Sequence, residues 1–207
     1  MTKPFSRRRA AALLVAALSA CAAATAAAQT GAVSPRYAPA DVAFMQGMIA
    51  HHAQALKMTA LVPGRSARAD VRLLAERIAA SQVSEVAQMR QWLRTRGLDT
   101  AAMAGQHQHQ HAAGAADDHG GMPGMPGMLT EAELAALEAA SGAAFDRLFL
   151  ESMIRHHEGA LTMVATLFFT NGAGQEPEIF RLATDVDADQ RAEIARMRAL
   201  LGAPAPR

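Results

Sequence analysis

Hydrophobic residues recur at three- and four-residue steps along four long stretches of the chain, which is the period of an α-helix with one buried face. These stretches cover about residues 39–63, 66–96, 143–170 and 176–201, and a shorter one covers about 130–140. The first three long stretches end at residues that typically stop a helix, which are Pro63-Gly64, Gly97 and the segment that begins at Asn171. Aromatic residues make up only 4% of the chain and β-branched runs are nearly absent, so we predict an all-α protein.

The first and third long helices carry one repeated motif. Residues 44–58 recur as residues 149–163, keeping a Phe, a Met-Ile-x-His-His run, an Ala-Leu pair and a final Met. The second and fourth long helices also match each other, with Gln82, Glu85 and Met89 corresponding to Gln190, Glu193 and Met197. The repeat is therefore a whole antiparallel hairpin, 39–98 and again 130–202. Neither hairpin can bury its apolar face alone, so we predict a four-helix bundle made of two repeated hairpins. In an up-down-up-down arrangement the two His-His pairs would lie on parallel, diagonal helices and could form one site or two.

Residues 1–21 resemble an export signal. Lys3 and an arginine run precede an apolar segment over residues 10–20 that is too short to span a membrane as a helix. Leu18-Ser19-Ala20-Cys21 resembles the lipobox of bacterial lipoproteins, which predicts cleavage before a lipidated cysteine, and cleavage after Ala28 is the alternative. We therefore expect an exported, periplasmic protein with a flexible tether over 22–38, whose only membrane contact is a lipid anchor at Cys21. Residues 203–207 form a short tail.

Charge and cysteine content exclude two classes of partner and site. The chain has 20 basic and 19 acidic residues, and four of the basic ones precede Cys21, which leaves the mature protein with sixteen basic residues and a net charge of −3. A mildly acidic domain without a basic stripe is not expected to bind nucleic acid. Because Cys21 is the only cysteine, the chain has neither an intramolecular disulfide nor a thiolate metal site.

Residues 99–129 change composition sharply, to glycine, proline, histidine and methionine. Nothing in this segment can build a core, so we predict a flexible loop. Its imidazole and thioether groups are candidate ligands of a metal-collecting arm: His107, His109, His111, His119, Met122, Met125 and Met128.

The repeated motif places imidazole and thioether groups beside the buried face of each helix. Met48 lies one turn before His51 and His52, and Met58 lies two turns after His51. Imidazole with thioether suits soft or borderline ions, Cu(I) above all, and methionine supplies sulfur without forming disulfides. The thioether ligands should hold in mild acid, whereas His ligation should weaken below about pH 6.5. The candidate metal ligands are Met48, His51, His52, Met58, Met153, His156, His157 and Met163, with Asp41 and Asp146 as candidate hydrogen-bond partners of the histidines.

Other interpretations of these residues remain open. Methionines and histidines at helical spacing are commonly core residues, and Gln82, Glu85, Gln190 and Glu193 commonly lie in solvent or bridge the helices of a hairpin. A di-iron oxidase needs Glu-x-x-His motifs, which this chain lacks, so we do not expect an enzyme. A bundle that binds b-type haem through Met and His is one alternative. A metal-free bundle that serves interactions in the cell envelope is another.

The paired Met-Ile-x-His-His segments, each followed by a Gln-x-x-Glu-Val/Ile-x-x-Met helix, closely resemble the domain of unknown function family 305. The resemblance covers about residues 38–202 and implies a ferritin-like four-helix bundle, exported and involved in copper binding and tolerance. It implies that the eight helical Met and His residues of the repeated motif bind the metal. The first half has Ala50 and Ala53 where the second has Arg155 and Glu158, so the two halves need not be equivalent. We therefore expect copper sequestration, or copper chaperoning to a delivery partner.

Overall fold

A computed structural model describes residues 36–100 and 125–202, and these are helical apart from short connections. Across them no helix is long and apolar enough to cross a membrane. The export signal, Cys21, the four loop histidines and Met122 lie outside the described residues. The prediction of an all-α protein built from two repeated hairpins is confirmed. The helices are α1 (Pro39–Arg65), α2 (Ala69–Thr95), the short α3 (Glu131–Ala139), α4 (Gly142–Phe169) and α5 (Pro177–Gly202).

Local sequence explains where the helices begin and end. Pro39 occupies the first turn of α1, and the Asp41 carboxylate accepts the Ala38 N–H at 2.7 Å. In α3, Thr130 and Glu133 form the reciprocal bonds of a capping box. Pro63 does not stop α1, which continues to Arg65. The helix ends two residues after Pro63, within the uncertainty of one or two residues that helix ends commonly have.

α1 and α4 are antiparallel neighbours. The start of α1 meets the segment after α4, because the Asp41 carboxylate accepts the Gly174 N–H at 2.7 Å. The end of α1 meets the segment before α4, because Arg65 Nε donates to the Glu138 carbonyl at 2.8 Å. This differs from the parallel, diagonal placement of an up-down-up-down bundle. The long connection between α2 and α4 permits it, since a short loop would return the chain beside α2 in the opposite direction.

The helix pairs pack around two apolar clusters. One contains residues 44–49 of α1 together with Met89, Val164 and Val186, and the other contains residues 55–62 of α1 together with Ile78 and Phe149. Residues 51 and 52 fall between the clusters. A layer of buried polar side chains separates the two clusters, and we call it the polar layer: His51, His52, Gln82, Glu85, His156, His157, Gln190 and Glu193.

Candidate metal centre

The four helical histidines form one cluster in the polar layer. The rings of His51 and His156 lie with centroids 3.8 Å apart and planes 41° apart. Within each helix the neighbouring rings are 6.5 Å apart for His51 and His52 and 6.3 Å apart for His156 and His157. All four side chains are fully buried. The structure therefore brings the two His pairs together, which the sequence left open. We call these four residues the histidine cluster.

Three members of the cluster have a hydrogen-bond partner at Nε2. His52 Nε2 donates to Glu85 Oε2 at 2.5 Å, and His157 Nε2 donates to Glu193 Oε2 at 2.7 Å. His51 Nε2 donates to the Pro126 carbonyl at 3.1 Å. A carboxylate or carbonyl oxygen can only accept, so in each neutral ring the hydrogen sits on Nε2 and Nδ1 keeps its lone pair.

Five ring nitrogens of the cluster have no partner among the described residues: Nδ1 of all four histidines and Nε2 of His156. Buried polar atoms are partnered in the great majority of cases, so five unpartnered ones in one place need an explanation. A ring held at one nitrogen by a carboxylate, with a lone pair on the other, is the usual state of a metal-binding histidine. The cluster therefore fits a metal ion that accepts nitrogen lone pairs.

Histidine and carboxylate groups alone do not complete such a site. Across the described residues, no three His, Cys, Asp or Glu side chains are arranged to hold a metal ion by themselves. A bound ion would need other donor atoms as well. Thioether sulfur is the donor that the repeated motif places one turn away, at Met48 and Met153, and both side chains are fully buried.

Met58 and Met163 lie farther from the cluster. Each is seven residues beyond the first histidine of its own helix, about 10 Å of helical rise. Met58 packs in the apolar cluster that contains Phe149. Met163 is partly exposed and lines a surface pocket of about 410 Å³ with Gly47 and Met125. The structure thus places these two predicted ligands farther from the histidines than Met48 and Met153, which also belong to the apolar clusters, one to each.

Burial controls the charge of His51 and His156. Burial lowers the pKa of His51 to about 3, and the neighbouring His52 and His157 add to this, while the Pro126 carbonyl opposes it. Burial, followed by the other three histidines, holds the pKa of His156 well below its usual value. Both rings are therefore neutral in mild acid. For these two residues the expectation that His ligation weakens below about pH 6.5 is corrected, because protons compete with a metal only near the lowered pKa.

Glu85 and Glu193 hold the position that we had assigned to aspartates. Both Asp41 and Asp146 lie ten residues before the first histidine of their helix, about 15 Å along the axis. Asp41 Oδ1 and Oδ2 bind the N–H groups of Gly174 and Ala38. The glutamates fall on the apolar stripe of α2 and α5 in both hairpins. Each glutamate thus bridges the two helices of its hairpin, which was one of the two interpretations from sequence, and the repeat of an acidic residue on a buried face is the signal that its partner is a histidine.

The end of the predicted flexible loop packs on the bundle. The Leu129 N–H and carbonyl bind the Gln54 side chain at 2.8 and 2.9 Å, and the side chains of Met128 and Leu129 are buried. Pro126 and Gly127 lie against α4 so closely that a Cβ on Gly159 would stand 2.0 Å from the Pro126 carbonyl oxygen. Residues 125–129, which we call the strap, therefore cover His51 instead of moving freely. Met125 is partly buried and Met128 is packed on the bundle.

The charged residues that distinguish the second half turn away from the cluster. Arg155 pairs with Glu133 of α3 at 2.7 Å, and Glu158 pairs with Arg198 of α5 at 2.7 Å. All four side chains are at least one-third exposed. The two halves therefore present the same side chains to the cluster despite this difference in sequence. The two halves differ at one ring nitrogen: within residues 36–100 and 125–202, His51 Nε2 has a partner and His156 Nε2 has none.

Several solved structures resemble this chain. A DUF305 fragment from Deinococcus radiodurans is 35% identical, with a TM-score of 0.65, over 81% of this chain and 99% of that chain. A DUF305 protein from Streptomyces coelicolor that is thought to be secreted is 28% identical, with a TM-score of 0.64, over 81% of this chain and 97% of that one. No curated protein sequence matches the chain.

CopM, a further structural relative, has been solved with copper. Its Cu(II)-bound form is 28% identical to this chain, with a TM-score of 0.60, over 78% of this chain and 95% of that chain. Its Cu(I)-bound form is 26% identical, with a TM-score of 0.55, over 77% and 94%. The profile of the domain of unknown function DUF305 matches residues 41–201, which include both hairpins and the whole polar layer. The chain therefore belongs to the DUF305 family.

Proposed function

We propose that this protein binds copper in the histidine cluster and acts as a copper buffer or chaperone in the periplasm. One observation carries the proposal: four fully buried histidines lie in one layer, with the rings of His51 and His156 in contact, and five of their ring nitrogens have no partner among the described residues. Burial lowers the pKa of His51 and His156, which keeps those rings neutral and able to bind a metal. The protein is a binding protein in this proposal and not an enzyme.

Cu(I) is the favoured ion. Imidazole nitrogen with thioether sulfur is a soft donor set, and Met48 and Met153 lie one turn from the histidines. The copper-bound structures of CopM support the metal class, since CopM shares the fold at 28% identity. The signal-like residues 1–21 support export, and a lipid anchor at Cys21 remains part of the proposal. A delivery partner would receive the ion.

The haem alternative fits the geometry less well. The rings of His51 and His156 are in contact at 3.8 Å, which leaves no room for a porphyrin between them. A bundle that serves envelope interactions without any metal leaves the five ring nitrogens unexplained. Absorbance of the purified protein tests the first alternative through the Soret band, and metal retention after desalting tests the second.

The decisive experiment compares two sets of four histidines. One variant replaces His51, His52, His156 and His157 with Ala, and its matched control replaces the four loop histidines at 107, 109, 111 and 119. We expect the first to lose tight Cu(I) binding in anaerobic competition titrations and the second to keep it. Circular dichroism checks that each variant is folded. A milder pair, His51→Gln with His156→Gln, avoids large cavities and should also lose tight binding. Unchanged titrations in a folded variant of either kind would overturn the assignment.

A further inference from the structure

Two buried glutamines in the polar layer have no partner for any amide atom. Gln82 and Gln190 are each 1% exposed, and the oxygen and nitrogen of both side chains lack a hydrogen bond among the described residues. Gln54 shows that this fold does satisfy a buried glutamine elsewhere, because its amide binds both backbone groups of Leu129. An unpartnered buried amide is costly, so two in one layer point to a ligand that the amides bind.

The glutamines lie beside the residues that hold the histidine cluster. Gln82 precedes Glu85 by one helical turn on the same face of α2, and Glu85 binds His52. Gln190 precedes Glu193 in the same way on α5, and Glu193 binds His157. The hairpin repeat relates the two arrangements to each other. Each half of the site thus has an amide one turn from its histidine and glutamate pair.

α2 and α5 pack against each other at the level of these glutamines. Ser81 and Glu85 of α2 line one surface pocket of about 260 Å³ together with Asp185 and Asp189 of α5. Gln82 follows Ser81 and Gln190 follows Asp189, and both point to the buried side of their helices. The two amides therefore sit at one level of the bundle, on the α2 and α5 side of the polar layer.

The chemistry of an amide oxygen identifies the ion that it suits. Thioether sulfur and imidazole favour Cu(I), whereas Cu(II) prefers nitrogen and oxygen donors in a tetragonal arrangement. The histidine cluster supplies nitrogen, and the glutamates already bind ring N–H groups through one oxygen each. Oxygen donors for Cu(II) are then available from the amide oxygens of Gln82 and Gln190, each of which has two free lone pairs.

We propose that Gln82 and Gln190 are the oxygen ligands with which the polar layer holds Cu(II). This inference rests on the proposed copper function. Met48 and Met153 serve the reduced ion, and the two glutamines extend the site to the oxidised ion. The glutamines then determine the preference between oxidation states, and the histidines bind both ions.

The test is a pair of substitutions that remove the oxygen and keep the shape. Gln82→Leu with Gln190→Leu, made in the full mature chain, should lower Cu(II) affinity at least tenfold and leave Cu(I) affinity within about twofold of wild type. Gln82→Met with Gln190→Met adds sulfur in an unbranched side chain, so Cu(II) affinity should fall while Cu(I) affinity holds or rises. Gln82→Glu restores an oxygen donor and should retain Cu(II). Competition titrations measure both ions, and the electron paramagnetic resonance spectrum of Cu(II) reports the loss of oxygen ligands.

Gln54→Leu is the matched control, because Gln54 is a buried glutamine whose amide is fully partnered. We expect it to lower the urea midpoint without changing the ratio of Cu(I) to Cu(II) affinity. The substitutions at 82 and 190 should leave the midpoint unchanged or raise it, since they remove unpartnered polar atoms. A fall as large as that of Gln54→Leu would show that the amides pair with the protein, and it would overturn the proposal.

The outcomes separate this proposal from the proposed function. If wild-type protein binds neither copper ion, the copper function itself is wrong. If wild type binds copper and the double leucine and double methionine variants bind Cu(II) as it does, only the role of the glutamines is wrong. Equal loss of Cu(I) and Cu(II) in both variants would also overturn it, because that result indicates a general disturbance of the site.

Discussion

The hydrogen bond between His52 and Glu85 decides which ring nitrogen is free for an ion. Glu85 accepts from Nε2 at 2.5 Å, so Nδ1 keeps its lone pair. Glu85→Leu removes the carboxylate that orients the His52 ring. Hydrogen-bond partners of metal-binding histidines typically contribute about 10- to 100-fold to metal affinity. We expect Cu(I) affinity to fall by about that factor in competition titrations. Glu76→Leu, at an exposed position of the same helix, is the control and should bind as wild type does. Equal affinities in the two variants would show that Glu85 does not orient a ligand.

The lowered pKa of His51 makes metal-free protein sensitive to acid. Below pH 6.5 an unfolded histidine binds a proton, whereas folded His51 stays neutral until its pKa of about 3. Protonation therefore favours the unfolded state, and stability falls as the pH drops through this window. His156 acts in the same direction. For His51 we expect a loss that approaches about 1.4 kcal/mol per pH unit, and His156 should add to it, measured by urea unfolding of metal-free protein between pH 6.5 and pH 4.5.

The control for the acid effect removes the two titrating groups. In His51→Gln with His156→Gln, the slope of stability against pH in the same window should be smaller by about 1 kcal/mol per unit or more. A slope equal to that of wild type would show that other groups cause the acid sensitivity.

At the scale of elements, the strap depends on two glycines that face each other. A Cβ on Gly159 would stand 2.0 Å from the Pro126 carbonyl oxygen and 2.8 Å from the Gly127 Cα. Gly159→Ala must therefore displace the strap from α4 and with it the carbonyl that binds His51. We expect a loss of about 1–3 kcal/mol in the free energy of unfolding, the usual cost of overpacking. Urea denaturation followed by circular dichroism measures this loss.

Gly64→Ala is the matched control for this contact. Gly64 is also helical, and a Cβ there would meet nothing within 4 Å. Its replacement should be neutral or stabilise the protein by up to about 1 kcal/mol, because alanine reduces the freedom of the unfolded chain. If both alanine variants were equally stable, close packing of the strap would not contribute to the fold.

At the scale of the whole molecule, the His-rich segment and the histidine cluster should have separate roles. Gln46 Nε2 donates to the Asp99 carbonyl at 3.0 Å, and His51 donates to the Pro126 carbonyl. The segment that joins the two hairpins therefore begins and ends against α1, at positions that are five residues apart. Deleting residues 106–121 leaves about ten residues between them, enough to span about 33 Å when extended. This deletion removes the four loop histidines and keeps the strap. We expect slower or smaller copper loading with tight binding unchanged, measured by stopped-flow transfer and competition titration. Equal loss of all binding would contradict the division of roles.

Particular residues show how far the sequence could be interpreted. The spacing of Met48, His51 and His52 predicts that they share a buried face of one helix, because helical periodicity is a local property. For Glu85 the sequence indicates a bridge within the hairpin but not that His52 is its partner, because a polar residue on an apolar stripe does not reveal which side chain faces it on another helix. Asp41 was assigned to the histidines, whereas its carboxylate binds backbone N–H groups at the start of α1 and after α4. These partners are distant in sequence, and only the packing of helices brings them together.

The sequence alone determined that the chain is helical, that it repeats a hairpin and that each copy carries imidazole and thioether groups on a buried face. All three follow from periodicity and internal similarity, which act over one or two helical turns. Only the tertiary structure decided that α1 and α4 run antiparallel, that four histidines meet in one cluster, and that glutamates and glutamines complete the polar layer. The long connection between the hairpins allows the second hairpin to run in either direction. Its direction, and therefore which side chains meet, is fixed only when the two hairpins bury their apolar faces against each other.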